Sequence, residues 1–437
     1  MIVNRLLTLG SSRLRYALLP PTPPSPDPLP LPSSVTLLMD QSLEPGMGGR
    51  EALLRLKQIP GKAFKLQKGD AVSQGQILQL LEEGQAVIAP ISGVVTDMAP
   101  YVGDYGRVYM TLTIEAGETD MPSGTRPFAG SDMFRAAPAL PGKPALPETP
   151  PARVIINGLG SDVLATNNQY VLKTRKNDLE AGLDWIRNTW PFASVHLMVA
   201  EGQQKEWDTT KDCRVYGIAP IYPAASPRLL HRTVTGEEAP AEEPLIKAGT
   251  LVLQAEALAS MGTLYATGVP PMQKLLQVMG KDGVGHLVSV CIGTPVSNVL
   301  EHLGLKAEYG DNVILGGPMT GYAVYAEDFP ICPDTDTLLV QAPERGVPCQ
   351  TPACLNCGAC VRICPARVPV NLLLRVLEAG HYEEAAEAFD LMSCIDCGLC
   401  SFVCPGRIPI FQYIQLAKYE HRRHPAESGT QSQEVGE

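Results

Sequence analysis

The chain has 437 residues and a formal net charge of −11, with 46 acidic against 35 basic side chains and no stripe of clustered Lys and Arg. That balance argues against a nucleic-acid surface, which relies on clustered cations to displace phosphate counterions. The length exceeds one ordinary core and suggests two to four domains. No apolar run reaches the roughly 20 residues that a membrane-spanning helix needs, so any membrane role is expected to be peripheral.

The opening stretch, MIVNRLLTLGSSRLRYALLPP, sets Arg5, Arg13 and Arg15 among its leucines. A secretory signal has an unbroken apolar core and a small-residue cleavage site, so a cytoplasmic protein is expected. Residues 20–34, PPTPPSPDPLPLPSS, cannot form a helix or a central strand, because each proline lacks an N–H and fixes φ. An extended or disordered leader is expected over residues 1–34, as a free surface tail or alternatively a docking tether.

Short β-like runs broken by Gly and Asp turns follow, and they predict a compact all-β module over 35–120. Its segments KGDAVSQGQIL and APISGVV resemble the interlocking half-motifs of biotinyl and lipoyl carriers, the β-hammerhead. A carrier needs a lysine for its swinging cofactor, and none occurs between Lys68 and Lys143, so a scaffold is expected. A Pro-rich linker is expected over 121–152, ending in AAPALPGKPALPETPPA.

From Arg153 the grammar becomes βαβ: RVIING reads as a strand, DLEAGLDWIRNTW as an amphipathic helix and SVHLMVA as a strand. This predicts a Rossmann-like α/β domain over 153–270. Gly158 and Gly160 follow the first strand, but the third glycine of the dinucleotide fingerprint is missing, and an ordinary tight turn explains them equally well. In 271–345, TPVSNVLEHLG predicts a short helix capped by Thr294, and Gly316 and Gly317 predict a turn or a close backbone approach.

Eight of the 12 cysteines fall in two runs, CLNCGACVRICPARVPV from Cys354 and CIDCGLCSFVCPGRIPI from Cys394. Each spells C-x-x-C-x-x-C-x-x-x-C-P, the spacing in which three thiolates hold one cubane cluster and the fourth ligates the other. The expected sets are Cys354, Cys357, Cys360 and Cys404 for one [4Fe–4S] cluster, and Cys364, Cys394, Cys397 and Cys400 for the second. Gly358 and Gly398 let the loops bend closely around the clusters, and Pro365 and Pro405 end them. Zinc is the competing reading, but zinc sites use separated C-x-x-C pairs rather than twin tetrads.

Between the runs, Leu372, Leu373, Val376 and Leu377 predict one apolar helix face; further helices are expected from Tyr382 to Leu391 and after Pro409. Compact two-cluster ferredoxins use hairpins there, so residues 346–424 are expected to form an α-helical ferredoxin domain, followed by a disordered tail at 425–437. Clusters this close relay single electrons. The remaining thiols, Cys213, Cys291, Cys332 and Cys349, read as buried or incidental. His381, His421 and His424 read as solvated helix positions, and no residue set for nucleophilic catalysis stands out.

The order of β module, VIING strand, IGTPVSNVL, VILGGPMTGYAV and twin cysteine runs resembles the C subunit of the Rnf-type ion-translocating electron-transport complex, over roughly residues 35–424. The most telling segments are IGTPVS, GGPM at 316–319 and CPGRIPIFQYIQLAK. The resemblance implies a multidomain α+β fold: a β-hammerhead (barrel-sandwich) module, a Rossmann-like domain similar to the flavin subunit of respiratory complex I, a soluble-ligand-binding β-grasp module and the two-cluster ferredoxin domain. It also implies a peripheral subunit on the cytoplasmic face of the cell membrane, partnered by membrane and cluster-bearing subunits. In that family the subunit binds FMN and NADH, and its complex couples electron flow between ferredoxin and NAD to sodium or proton movement.

The chain departs from the family at two places. Where the family carries a loop of the type GGAGFPT, this sequence has PALPGKPALPETP, whose prolines remove the N–H donors of a phosphate cradle. The family's N-x-x-E-x-E-P reads NGLGSDV here, leaving Asn157 and Asp162 as the expected flavin-site remnants. A redox protein such as a ferredoxin or cytochrome is therefore the expected partner in place of NADH. The alternatives are a conventional NADH/FMN-binding member of the family, a cobalamin-reductase-like flavin/iron–sulfur protein, and a docking adaptor whose clusters are structural.

Overall fold

The computed structural model describes residues 14–40, 66–79, 86–103, 108–117, 132–147, 149–207, 213–241, 243–325, 328–343 and 353–423. Cys349, His424, the tail expected at 425–437 and much of the 35–120 module lie outside them. The chain forms two compact units. One is drawn from Met1–Met39, Gly61–Ala99 and Met110–Gly346, the other from Asp40–Pro60, Pro100–Tyr109 and Val347–Glu437.

In chain order the first strands are β1 (Asp27–Pro28), β2 (Ser34–Asp40), β3 (Ala71–Val72), β4 (Ile77–Gln79), β5 (Ala86–Ile88), β6 (Gly93–Val102) and β7 (Val108–Ala116). One sheet runs β2-β7-β6-β3, and β4 pairs with β5. Val35, Leu37 and Met39 of β2, and Met110, Leu112 and Ile114 of β7, are buried at every second position. This is the period expected of strands that present one face to a core.

The Pro-rich leader is more ordered than a surface tail. Tyr222 donates its N–H to Leu14 O (2.8 Å), Tyr16 to Pro220 O (3.1 Å) and Ala17 to Val163 O (2.7 Å). Gln169 accepts from Leu19 N and donates to Ala17 O. Further on, β1 pairs in parallel with β13 (Gly285–Cys291) at the margin of a six-stranded sheet. A proline strand is tolerated there because an edge needs only one side of its hydrogen-bonding groups.

A short helix, α1 (Asp132–Ala136), precedes the α/β region of β8 (Arg153–Asn157), α2 (Asn167–Thr174), α3 (Lys176–Thr189), β9 (Ser194–Ala200), β10 (Cys213–Ile218), α4 (Pro227–Thr235), β11 (Thr250–Gln254) and α5 (Ala255–Thr267). Its sheet is wholly parallel, in the order β10-β9-β8-β11. The register sorts its side chains into two unlike faces. Val154, Ile156, Val195, Leu197, Leu251 and Leu253 share one face and join the core formed with α3 and α5. The other face is mixed: Arg153, Asn157, Ser194, His196, Arg214, Thr250 and Gln254 lie in the same rows as the apolar Ile155, Met198 and Val252. Sheets of this kind are usually apolar on both faces, so the polar side chains on this one need a reason.

The last part of this unit comprises β12 (Gln273–Met279), β13, α6 (Val296–His302), β14 (Asn312–Leu315), β15 (Tyr322–Val324) and β16 (Thr337–Gln341), in the order β1-β13-β12-β16-β14-β15. Strands β12 and β16 run parallel at the centre, and hairpin partners flank them. The short helix is present, but Thr294 does not cap it. Pro295 holds that position without a side-chain bond, and the Thr294 hydroxyl is buried without a partner.

A fully buried ion cluster joins the α/β region to this sheet. Lys274 Nζ on β12 lies 2.8 Å from Glu256 Oε2 on α5 and 2.9 Å from Asp336 Oδ1 before β16. Asn167 Nδ2 donates to both carboxylates at 2.8 and 3.0 Å.

The second unit contains α7 (Ala359–Ile363), α8 (Val370–Glu378), α9 (Tyr382–Ala388), α10 (Leu399–Phe402) and α11 (Ile410–Arg423). The buried stripe of α8 is Val370, Leu373, Leu374 and Leu377, the i, i+3, i+4, i+7 pattern; Leu372, expected on it, is 42% exposed. Helix α9 ends at Ala388, before the expected Leu391, which opens a short 3₁₀ turn instead. His421, expected in solvent, is half-buried with Nδ1 unpartnered. Among the described residues no helix is long and apolar enough to cross a membrane.

Candidate functional site

The cysteine runs are a structural as well as a sequence repeat. Each cysteine of the first recurs at its own number plus 40, pairing 354/394, 357/397, 360/400 and 364/404. The backbone repeats with it: φ is positive at Asn356 (53°), Gly358 (71°) and Arg367 (58°), and again at Asp396 (57°), Gly398 (70°) and Arg407 (55°). Asn, Asp and Gly enter this region readily, but arginine does so at a cost, so the fold holds the same uncommon turn twice. The left-handed glycines start α7 and α10, which carry the chain away after the third cysteine.

The result is an exchange of ligand candidates. One small cavity is lined by Cys354, Cys357, Cys360 and Cys404; a second is lined by Cys364, Cys394, Cys397 and Cys400. Each therefore draws three thiols from one run and one from the other. Backbone N–H groups already point at sulfur, Asn356 N to Cys354 Sγ at 3.4 Å and Asp396 N to Cys394 Sγ at 3.5 Å. Such donors stabilise the negative charge of an iron–sulfur cluster.

The residues fit that group better than a single ion. Each site offers four thiols, three from one loop and one from the other, and a cubane takes each thiolate on a different iron. Burial pushes the Cys394 thiol up to about 12 and Cys397 up to about 11, and also raises Cys360 and Cys400. At neutral pH these groups are thiols until iron displaces their protons.

The two loops are anchored differently. Lys418, 5% exposed on α11, donates to Cys394 O at 2.6 Å and to Asp396 Oδ1 and Oδ2 at 2.8 and 3.0 Å. In the first run the counterpart of Asp396 is Asn356, which accepts from Asn371 Nδ2 at 2.8 Å. Lys418 was not among the residues expected from the sequence, although a lysine beside Ile414 and Ala417 in a buried stripe is the signal that finds it. Cys213, Cys291 and Cys332 line neither cavity, and burial pushes their thiols up to about 11, 11 and 12.

Asn157 and Asp162, the expected flavin remnants, are fully engaged by the protein. Asn157 ends β8 beside Gln254 at the end of β11, where the strand order changes direction and a doubly wound sheet would open its ligand crevice. Its Nδ2 donates to Gln254 Oε1 at 3.1 Å, its Oδ1 accepts from Leu159 N at 3.0 Å, and Asn168 Nδ2 donates to Gln254 Oε1 at 2.6 Å. Tyr16 of the leader packs edge-on against Tyr222, and its hydroxyl accepts from Ala225 N at 3.2 Å. Side-chain amides and the leader thus occupy this end of the sheet.

Asp162 has turned to the neighbouring sheet. Its Oδ2 accepts from Met319 N (3.1 Å), Thr320 N (3.0 Å) and Thr320 Oγ1 (3.0 Å), and its Oδ1 from Val163 N (2.6 Å). Burial raises its pKa, and these four donors partly offset the rise. Gly317 (φ 107°) lies so close that an added Cβ would stand 2.5 Å from Asp162 Cγ. Asp162→Ala, which strands the buried N–H of Val163 and the half-buried ones of Met319 and Thr320, is expected to cost about 1–3 kcal/mol in denaturant unfolding while leaving iron content unchanged. A loss of iron with unchanged stability would assign the carboxylate a role at the clusters instead.

Comparison with known proteins adds the lineage. A 4Fe-4S dicluster domain matches residues 353–408. The chain is 28% identical over 245 residues to the C subunit of the ion-translocating oxidoreductase complex of Rhodobacter capsulatus, covering 54% of this chain and 47% of that relative. It is 23% identical over 358 residues to the C subunit of the proton-translocating ferredoxin:NAD(+) oxidoreductase complex of Clostridium ljungdahlii, covering 75% and 78%. A solved NAD+-reducing [NiFe]-hydrogenase aligns with a TM-score of 0.39 and 13% identity over 63% of this chain and 55% of that one. Against the Rhodobacter relative the match spans about half the relative's length. With its dicluster domain and these relatives, the chain is an iron–sulfur protein similar to the C subunits of Rnf-type ion-translocating oxidoreductase complexes.

Proposed function

We propose that the chain is a peripheral electron-relay subunit of a membrane-bound, Rnf-type complex, facing the cytoplasm and working with a redox protein in place of NADH. Two [4Fe–4S] clusters would supply the one-electron steps, held by Cys354, Cys357, Cys360 and Cys404 and by Cys364, Cys394, Cys397 and Cys400. The observation that carries this is the three-plus-one lining of two similar cavities.

In this reading 35–120 is a β-hammerhead scaffold, 153–270 a relative of the complex I flavin subunit, and 271–345 a β-grasp module. The central parallel pair flanked by hairpins supports the last of these. The crowded end of the parallel sheet and the absence of a glycine-rich loop ahead of Arg153 support a partner other than NADH.

The test is reduction of anaerobically purified, cluster-loaded protein. Dithionite is expected to bleach the clusters and raise the reduced-cluster EPR signal, while NADH does neither and no flavin is extracted. Reduction by NADH would overturn the partner assignment and restore the conventional reading. Clusters that resist dithionite altogether would favour the adaptor.

A further inference from the structure

The polar face of the parallel sheet is explained at its C-terminal end by the amide cluster around Asn157. Its N-terminal end has no such account. There Arg153, Ser194 and Thr250 are register partners in one row across β8, β9 and β11, and His196 and Arg214 are partners between β9 and β10 on the same face. Helix α4 adds His231 from above. A cavity of about 500 Å³, open to solvent, is lined by Arg153, Ser194, His196, Arg214 and His231. Glu237 and Glu238 also border it, the latter paired with Arg232 at 3.1 Å.

The hydrogen bonds show what these groups still offer. Arg153 Nη1 donates to Thr250 Oγ1 (3.0 Å) and Ala248 O (3.2 Å), which steadies the guanidinium and leaves its Nε and Nη2 hydrogens for a ligand. Thr250 Oγ1, which accepts from Arg153, also bonds His231 Nδ1 at 2.9 Å; with the hydroxyl as donor, the neutral His231 ring carries its proton on Nε2. His196 Nε2 meets Ser194 Oγ at 3.0 Å, while its Nδ1 is buried without a partner. Arg214 is exposed and has no partner among the described residues. In a chain of net charge −11, two guanidinium groups and two imidazole rings line one cavity, with the Glu237 carboxylate at its border.

We propose that this cavity is a binding site for a small oxyanion ligand, one carrying phosphate or carboxylate groups, held between Arg153 and Arg214 with His231 beside them. Guanidinium forks match both oxyanions in charge and planar geometry. The site lies at the opposite end of the strands from the crowded crevice, so it does not depend on the electron-relay reading.

The experiment is calorimetric titration of the full chain, clusters intact, with inorganic pyrophosphate and separately with citrate, against sodium chloride at matched ionic strength. One saturable site for either anion is expected, and the one that binds tells phosphate from carboxylate. Arg214→Ala, at an exposed side chain, should leave the thermal unfolding curve unchanged and weaken binding roughly tenfold. Arg214→Glu should abolish it. Heats that match the chloride control, or binding that survives Arg214→Glu, would overturn the proposal.

Discussion

Changing Cys404 to Ser, a residue of the second run, is expected to remove the cluster held mainly by the first. The intact chain should carry about eight iron atoms in two [4Fe–4S] clusters and the variant about four. Pairing the mutation identifies which cluster has gone. Because Cys357 and Cys404 line the same cavity, Cys357→Ser/Cys404→Ser should still hold about four. Cys397 lines the other cavity, so Cys397→Ser/Cys404→Ser should hold almost none. Iron and acid-labile sulfide analysis, with EPR of the reduced protein, reads both. The reverse pattern, with the 397/404 pair sparing half the iron, would mean that each run keeps its own cluster.

The second large effect concerns stability. Lys274→Met preserves bulk but leaves Glu256 and Asp336 facing each other in a site with no water-exposed surface on Lys274. Breaking a buried ion cluster by removing one partner costs about 3–5 kcal/mol, because the remaining charges have lost their compensation. A denaturant midpoint shift of that size is expected. The triple change Lys274→Met/Glu256→Gln/Asp336→Asn should recover much of it, since no charge is then buried unpaired. A single variant as stable as the parent would show that the cluster is not needed to join the two sheets.

The same cluster sets a pH window. Burial alone pulls the Lys274 pKa down, but attraction to Asp336 and Glu256 outweighs it and leaves it above the ordinary lysine value. A folded pKa above the unfolded one, about 10.4, means that the stabilisation is complete below that pH and drains away as pH rises beyond it. The parent should therefore lose stability above about pH 10.4 in a way that Lys274→Met does not.

Much of the cysteine chemistry was legible because it is local. The spacing of each run and the recurrence of Gly358 and Gly398 fix where a loop turns and where a helix leads the fourth cysteine away. The βαβ alternation from Arg153 was legible for the same reason: strand and helix periods are written in neighbouring residues. Helix α2 escapes the pattern because three of its five buried positions, Asn167, Asn168 and Gln169, are polar residues that a hydrophobic period assigns to the surface, leaving only Val171 and Leu172 as its apolar signal. The leader was misread in the same way. Its prolines exclude local structure, but they do not prevent residues 14–20 from bonding to loops some 150 to 200 positions further along the chain.

By itself, then, the sequence determined the twin cysteine runs and the parallel α/β core, since each depends on residue type and short spacing. Only the tertiary structure decided where Asp162, Asn157, Lys274 and Lys418 would find partners, and that one face of the parallel sheet would carry so many polar side chains. The physical reason is that a buried polar group must be satisfied by whatever the fold brings beside it. That partner can lie anywhere in the chain, as Met319 and Thr320 do for Asp162.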